Sequence, residues 1–211
     1  MDTEILLIRH GQTNSNLTGY YMGWAEEDMN ETGYRQARRL SERLADSSIT
    51  AIYTSPLKRA MATAQIIGAP HKLEPRLNPD LIEINIGEWR GLDAEVIKQR
   101  FPQVWHQWRT DPSGVVMPGG ESVAQVTKRA ICAFEEIVKD NQGKLSAIVT
   151  HDIVVKIVIC HILGVSNKVH RRFDISNASL TRIRIPEGGP RISTMNDISH
   201  LRNPILDGEK M

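Results

Sequence analysis

Cysteine is scarce in this chain, and neither of its two cysteines has a CxxC partner. That argues against a disulfide framework and against a thiolate metal knuckle. Cys132 and Cys160 both stand in apolar contexts and read as buried thiols in a reducing compartment. Charge of one sign is also lacking. Lys and Arg number 26 against 25 Asp and Glu, a formal net charge of +1. No broad basic face is implied, so neither nucleic acid nor an anionic membrane surface is an expected partner. Long apolar runs are missing too. The run from Ile5 to Ile8 is far too short for a signal sequence or a membrane span, and a cytoplasmic location is the expectation. With no internal repeat and no low-complexity linker, 211 residues read as one domain over 1–211.

What is present is an alternation of strand-like and helix-like runs. EILLIR (4–9) and LSAIVT (145–150) are near-continuous apolar runs, the pattern of strands buried on both faces. TAIYTS (50–55) reads as a short strand, HKLEP (71–75) as a weak one, and SLTRIRI and RISTMN as two more that close the chain. Tyr34, Ala37, Leu40 and Leu44 recur at helical spacing behind Thr32 as N-cap. Further helices are expected over 57–68 with Pro56 in the first turn, over 95–109 with a break near Pro102, over 122–139, and after His151. Alternation of this kind predicts an α/β fold, a three-layer αβα sandwich with a mostly parallel central sheet. Ligands of such sheets bind where loops leave the carboxyl ends of strands. His10 and His151 both fall at such ends.

The strongest motif is LLIRHGQTNSN, which sets Arg9 and His10 at a strand end before a glycine. An isolated RHG is as often a surface pair as a site, but this one has company. YTSPLKRAMATA (53–64), LIEINIGEWRGL (81–92), PGGES (118–122) and IVTHD (148–152) follow it in order. Together they resemble the blocks of the histidine phosphatase superfamily, the phosphoglycerate mutase-like branch with an RHG motif, over nearly the whole chain. The resemblance implies a phosphoglycerate mutase-like fold and a phosphohistidine intermediate. His10 would be the nucleophile, Arg9, Asn16, Arg59 and His151 would bind phosphate, and Glu83 would be the general acid and base. It implies neither metal nor cofactor. The substrate would be a small-molecule phosphate monoester, with inorganic phosphate as product. A homodimer is expected from the family and from the prevalence of two-fold assemblies.

The chemistry agrees with the residue types. A phosphate monoester is a dianion, so attack on it calls for a neutral nucleophile and for cations on the equatorial oxygens. Imidazole is such a nucleophile, and its second nitrogen is expected to bond a backbone carbonyl of the loop. Guanidinium forks suit phosphoryl oxygens better than ammonium groups. His151 would have to be cationic or present an N–H. The Glu83 carboxyl would need a raised pKa, for which burial near Trp89 is the candidate cause.

Asp152 departs from the small residue the family usually carries after its second histidine. It is expected to cap the helix starting at Ile153 while pointing away, or to make His151 more basic. Of the remaining histidines, His161 reads as a packed structural residue, and His71, His106, His170 and His200 have no motif around them. Substrate choice would fall to a covering insertion at about 90–120 and to the loop after the nucleophile. Tyr21, Met22, Trp24, Trp105 and Trp108 are the candidate lid residues, beside Met117. Arg109, Lys98 and Arg171 are candidates to meet a carboxylate.

The compact middle segment resembles the phosphatase branch, since cofactor-dependent mutases generally carry a longer insertion there. The expected activity is that of a metal-independent phosphoric monoester hydrolase. The alternatives are a mutase-type phosphoryl transfer, a metal-dependent hydrolase suggested by the His151-Asp152 dipeptide, and a non-catalytic phosphometabolite-binding member.

Overall fold

A computed structural model describes residues 2–201. Its centre is a six-stranded sheet in the order β3-β2-β4-β1-β5-β6. The strands are β1 (Thr3–Arg9), β2 (Ile49–Thr54), β3 (Arg76–Leu77), β4 (Leu145–Thr150), β5 (Leu180–Ile185) and β6 (Arg191–Asp197). β1 to β4 run parallel, and β5 and β6 add an antiparallel edge. The expected α/β sandwich is therefore present, with a mixed sheet.

The strand residues explain the layers. Side chains alternate across a strand, so Ile5 and Leu7 enter one apolar cluster while Leu6 and Ile8 enter another. The first cluster is closed by α6 (Val123–Asp140) and α7 (Asp152–Ile162), through Phe134, Ile137, Val155 and Ile159. The second is closed by α2 (Glu31–Leu44) and α3 (Lys58–Gly68), through Leu40, Leu44, Ala60, Ala64 and Ile67. A third cluster packs α4 (Ala94–Arg100) and α5 (Pro102–Thr110) onto α6 and α7, with Trp89, Ile97, Trp108 and Met117 at its centre.

Several boundaries differ from expectation, each for a local reason. Asn30, not Thr32, caps α2, because its side chain accepts a hydrogen bond from the Gly33 amide at 2.9 Å. Pro56 lies ahead of the N-cap Leu57 of α3, outside the first turn. The weak strand expected over 71–75 does not form there: residues 69–71 make a 3-10 turn, and the short strand is Arg76–Leu77. A short helix α1 (Asn14–Thr18) occupies part of the expected loop. The break at Pro102 is real: Pro102 starts α5 immediately after Phe101. Cys160 is buried, but Cys132 is exposed, because it lies on the outer face of the amphipathic α6. His161 is likewise exposed, 3.4 Å from Glu135, and is not a core histidine.

Candidate active site

β1 and β4 are adjacent in the sheet and parallel, so their carboxyl ends place His10 and His151 side by side. The ring centroids are 5.1 Å apart. His10 is clamped on both backbone sides: its amide donates to Thr150 O at 2.9 Å, and its carbonyl accepts from the Ala178 amide at 3.0 Å. Its Nδ1 lies 2.7 Å from Gly11 O. A carbonyl can only accept, so Nδ1 carries the hydrogen and Nε2 keeps its lone pair. Burial, together with the nearby Arg59 and Arg9 charges, holds the His10 pKa well below the usual histidine value.

Arg59 enters from the first turn of α3 and is 4% exposed. It donates to Gly23 O at 2.8 Å and Ala25 O at 2.9 Å, which ties the loop after His10 to the site. Among the described residues it has no ion pair, so burial lowers its pKa from the ordinary arginine value. Arg9 donates to Ile175 O and lies 3.7 Å from Asp152. Its Nε is buried without a hydrogen-bond partner among the described residues. Asn16 is exposed, and its side-chain oxygen accepts from the Thr13 amide and from Asn177 Nδ2, at 3.1 and 2.9 Å. The amide NH2 of Asn16 is thereby left free to donate.

His151 is fully buried, and burial followed by the Arg59, His10 and Arg9 charges depresses its pKa well below the usual value. The expectation that Asp152 would make it more basic is overturned. Asp152 is not the cap of α7; His151 holds the N-cap position and Asp152 sits in the first turn. Nor does Asp152 point away. Its carboxylate pairs with Lys156 at 3.0 Å and faces Arg9. His151 Nε2 instead meets Ser55 Oγ at 2.7 Å, and its Nδ1 is buried without a partner among the described residues.

Glu83 is partly buried in the segment after the 3-10 turn Pro79–Leu81. As expected, burial raises its pKa, and the Asp152 charge adds to the rise. Trp89 belongs to an aromatic cluster with Tyr21, Trp105 and Trp108. The backbone around Glu83 is fixed from two sides. Trp24 Nε1 donates to Glu83 O at 2.6 Å. Arg129 donates to the carbonyls of Asp80, Ile82 and Glu83 at 2.6–2.9 Å and pairs with both carboxylate oxygens of Glu121. Glu121 in turn accepts from the Asn85 amide at 2.8 Å. The PGGES loop is thus a scaffold for Glu83, and its Gly120 is required because a Cβ there would lie 2.2 Å from Asn85 O.

A cavity of about 290 Å³ opens beside these groups, with Glu83 and Asp152 in its wall. Of the candidate lid residues, Tyr21, Met22 and Trp108 line it. Trp24 is 41% exposed and does not line it. Trp105 packs against Trp89 and Tyr21, and Met117 is buried in the third cluster; neither lines the cavity. Of the cations considered for a carboxylate, only Arg171 reaches the cavity. Lys98 is exposed beside Glu95, and Arg109 lies over the Trp105 ring. Ser55 and Lys156 were not singled out in the sequence, and His170 was given no role there. Ser55 lies inside the YTSPLKRAMATA block, which was its one signal, whereas Lys156 and His170 had none.

The family model for the histidine phosphatase superfamily (branch 1) matches residues 5–198. The chain belongs to that superfamily. It is 31% identical over 207 residues to phosphoserine phosphatase 1 of Hydrogenobacter thermophilus, covering 98% of each. It is also 32% identical to a probable phosphoglycerate mutase of Photorhabdus laumondii, covering 97% of each. A phosphoserine phosphatase from Entamoeba histolytica, solved in complex with phosphoserine, superposes with a TM-score of 0.86 at 26% identity, over 95% of this chain and all of that one. Membership and these relatives support a phosphatase. Among the described residues, no helix is long and apolar enough to cross a membrane.

Proposed function

We propose that this chain hydrolyses small phosphate monoesters without a metal, through a phosphohistidine on His10. The observation that carries the proposal is a neutral, oriented imidazole facing donors that the protein leaves unsatisfied. His10 Nε2 keeps its lone pair, while Arg9 Nε and His151 Nδ1 are buried without partners among the described residues. Unpaired buried donors are costly, and a phosphoryl group meets that need.

His10 Nε2 attacks phosphorus in line, and the bond to the leaving oxygen breaks as the Glu83 carboxyl gives that oxygen its proton. Glu83, now a carboxylate, takes a proton from water, which attacks the phosphorus and releases inorganic phosphate and free His10. Arg9, Arg59 and the Asn16 amide meet the equatorial oxygens. Ser55 Oγ already accepts from the Leu57 amide at 3.3 Å and directs its own hydrogen to His151 Nε2. His151 then acts as a neutral Nδ1–H donor and needs no positive charge. Guanidinium groups supply the charge compensation that a metal gives other phosphoryl-transfer enzymes. Residues 90–120 serve as the cover over the leaving group.

Phosphoserine, the substrate in the relatives' names, is a reasonable first compound to test. The mutase reading is kept because a probable mutase of matching length is equally similar, so length alone does not separate the two. One experiment distinguishes them. The protein is incubated in chelator with p-nitrophenyl phosphate, phosphoserine and 3-phosphoglycerate, and free phosphate and isomer are measured. Free phosphate is expected. An isomer without phosphate would establish the mutase, and no turnover would leave a binding protein. For the assembly we propose a homodimer, and light scattering at the single-chain mass of 23.7 kDa would reject it.

A further inference from the structure

The part of the cavity away from the phosphate donors is not apolar. Lys156, His170 and Arg171 all line it, on α7 and the 3-10 segment Asn167–Arg172. Two of these carry the weight. His170 is 1% exposed, and among the described residues neither ring nitrogen completes a hydrogen bond, beyond a backbone contact at Asn167 too loose to count as one. A buried imidazole with both nitrogens free is costly unless something else meets it. Arg171 lies over the Trp108 ring, 5.8 Å from its centroid, and makes no ion pair among the described residues. Stacking holds the guanidinium in place and leaves its edge donors unspent.

The other charges in the wall are already committed. Lys156 and Asp152 neutralise each other at 3.0 Å. Glu83 is the proton donor in the mechanism above. Asp174 is exposed at the mouth, where water and salt screen it. The unspent charge in the sheltered part of the cavity is therefore positive, and beside it stands an imidazole N–H. His170 is neutral at physiological pH, because burial and the adjacent Lys156 and Arg171 charges push its pKa down to about 4.

We infer that His170 and Arg171 form a subsite for a carboxylate on the leaving alcohol, so that the preferred substrates are phosphate monoesters of hydroxy acids or hydroxy amino acids. This rests on the phosphatase reading and adds the class of leaving group to it. Arg171 supplies a forked donor and the charge, and His170 supplies a neutral N–H. Tyr21 and Met22 close the cavity on the side of the nucleophile loop.

The test compares kcat/KM for O-phosphoserine and 3-phosphoglycerate with that for phosphoethanolamine, which has no carboxylate, in the wild type and in Arg171→Gln. Arg171 is partly exposed, so the substitution leaves the fold in place. The wild type is expected to favour the carboxylates by at least about tenfold, the scale of one charge-assisted hydrogen bond. In Arg171→Gln that preference should collapse to within about threefold of one, with Arg171→Lys in between. A wild-type preference near one, or one that survives in Arg171→Gln, overturns the subsite. p-Nitrophenyl phosphate turnover by the wild type separates the two readings. If it is turned over while the preference is absent, only the subsite fails. If no ester is turned over, the phosphatase reading fails and the subsite falls with it.

Discussion

His10 is the residue on which most of the proposed chemistry converges, and it is held unprotonated by three causes acting together. Burial, Arg59 and Arg9 all disfavour its cation. His10→Ala should abolish phosphoryl release while far-UV circular dichroism stays native, because no neighbouring side chain can replace an in-line imidazole. Activity near that of the wild type would remove it as nucleophile. Glu83 is the second decisive residue. Glu83→Gln should slow alkyl phosphates by ~10²–10⁴-fold, with a smaller loss for the phosphorylation step of an activated aryl phosphate, whose leaving group needs no proton. Equal losses in single-turnover measurements would assign the acid elsewhere. The histidine shifts also set a pH dependence. His10, His151 and His170 all have folded pKa values below the ordinary 6.5, so the unfolded chain binds their protons first as pH falls. Their contribution to stability is complete above about 6.5 and is lost below it. For His170 alone, a fall from 6.5 to about 4 corresponds to roughly 3 kcal/mol by pH 4. Thermal melts should show Tm dropping between pH 7 and pH 4.5, with a shallower drop in His170→Gln. An unchanged slope in that variant would argue against a neutral buried His170.

At the scale of elements, the site depends on how one helix holds a loop. Arg129 on α6 bonds three successive stretches of backbone around Glu83 and is itself fixed by Glu121. The pair is largely buried, so removing the arginine strands several acceptors at once. Arg129→Ala should cost about 2–3 kcal/mol in urea unfolding. It should also lower kcat for alkyl esters more than it raises KM, since Glu83 is displaced while the phosphate donors stay. A variant that loses stability but keeps full kcat would make Arg129 a purely structural residue. The same logic explains Trp24. It was a candidate lid residue by its position in the loop, yet its indole N–H is used to hold the Glu83 carbonyl.

For the whole molecule, a nearly neutral chain concentrates Arg9, Arg59 and two buried histidines at one end of two parallel strands. Such a cluster is destabilising until an anion enters it. Phosphate, sulfate and vanadate should therefore raise Tm, by an amount equivalent to about 2.7 kcal/mol when the free anion is a hundred times its Kd. Vanadate should bind most tightly because its five-coordinate form resembles the in-line transition state. Arg59→Ala should weaken the shift more than Arg35→Ala on the exposed face of α2. Melts that respond to no oxyanion would leave the phosphate site without support.

The amino-acid sequence by itself determined the layers and named the principal candidate residues of the site. The two-sided apolar runs of β1 and β4 can only be central strands, and His10 and His151 follow them directly. The motif blocks then named Arg9, Asn16, Arg59 and Glu83. These features are local in the chain, and local pattern is what a sequence displays. Three things were decided only by tertiary structure, because each depends on groups far apart in sequence. Asp152 could be read as a cap from its place at a helix start, but the approach of Arg9, Lys156 and Glu83 turned it into the cavity wall. The protonation of His151 followed from Ser55 and from burial among cations, not from its chain neighbour. Arg171 was one of three cations considered for a carboxylate, and His170 carries no motif; the two become a candidate subsite only because the segment after α7 folds back over the aromatic cluster. A charge acquires its pairing, its exposure and its pKa from what packs against it, and that is settled when the chain closes on itself.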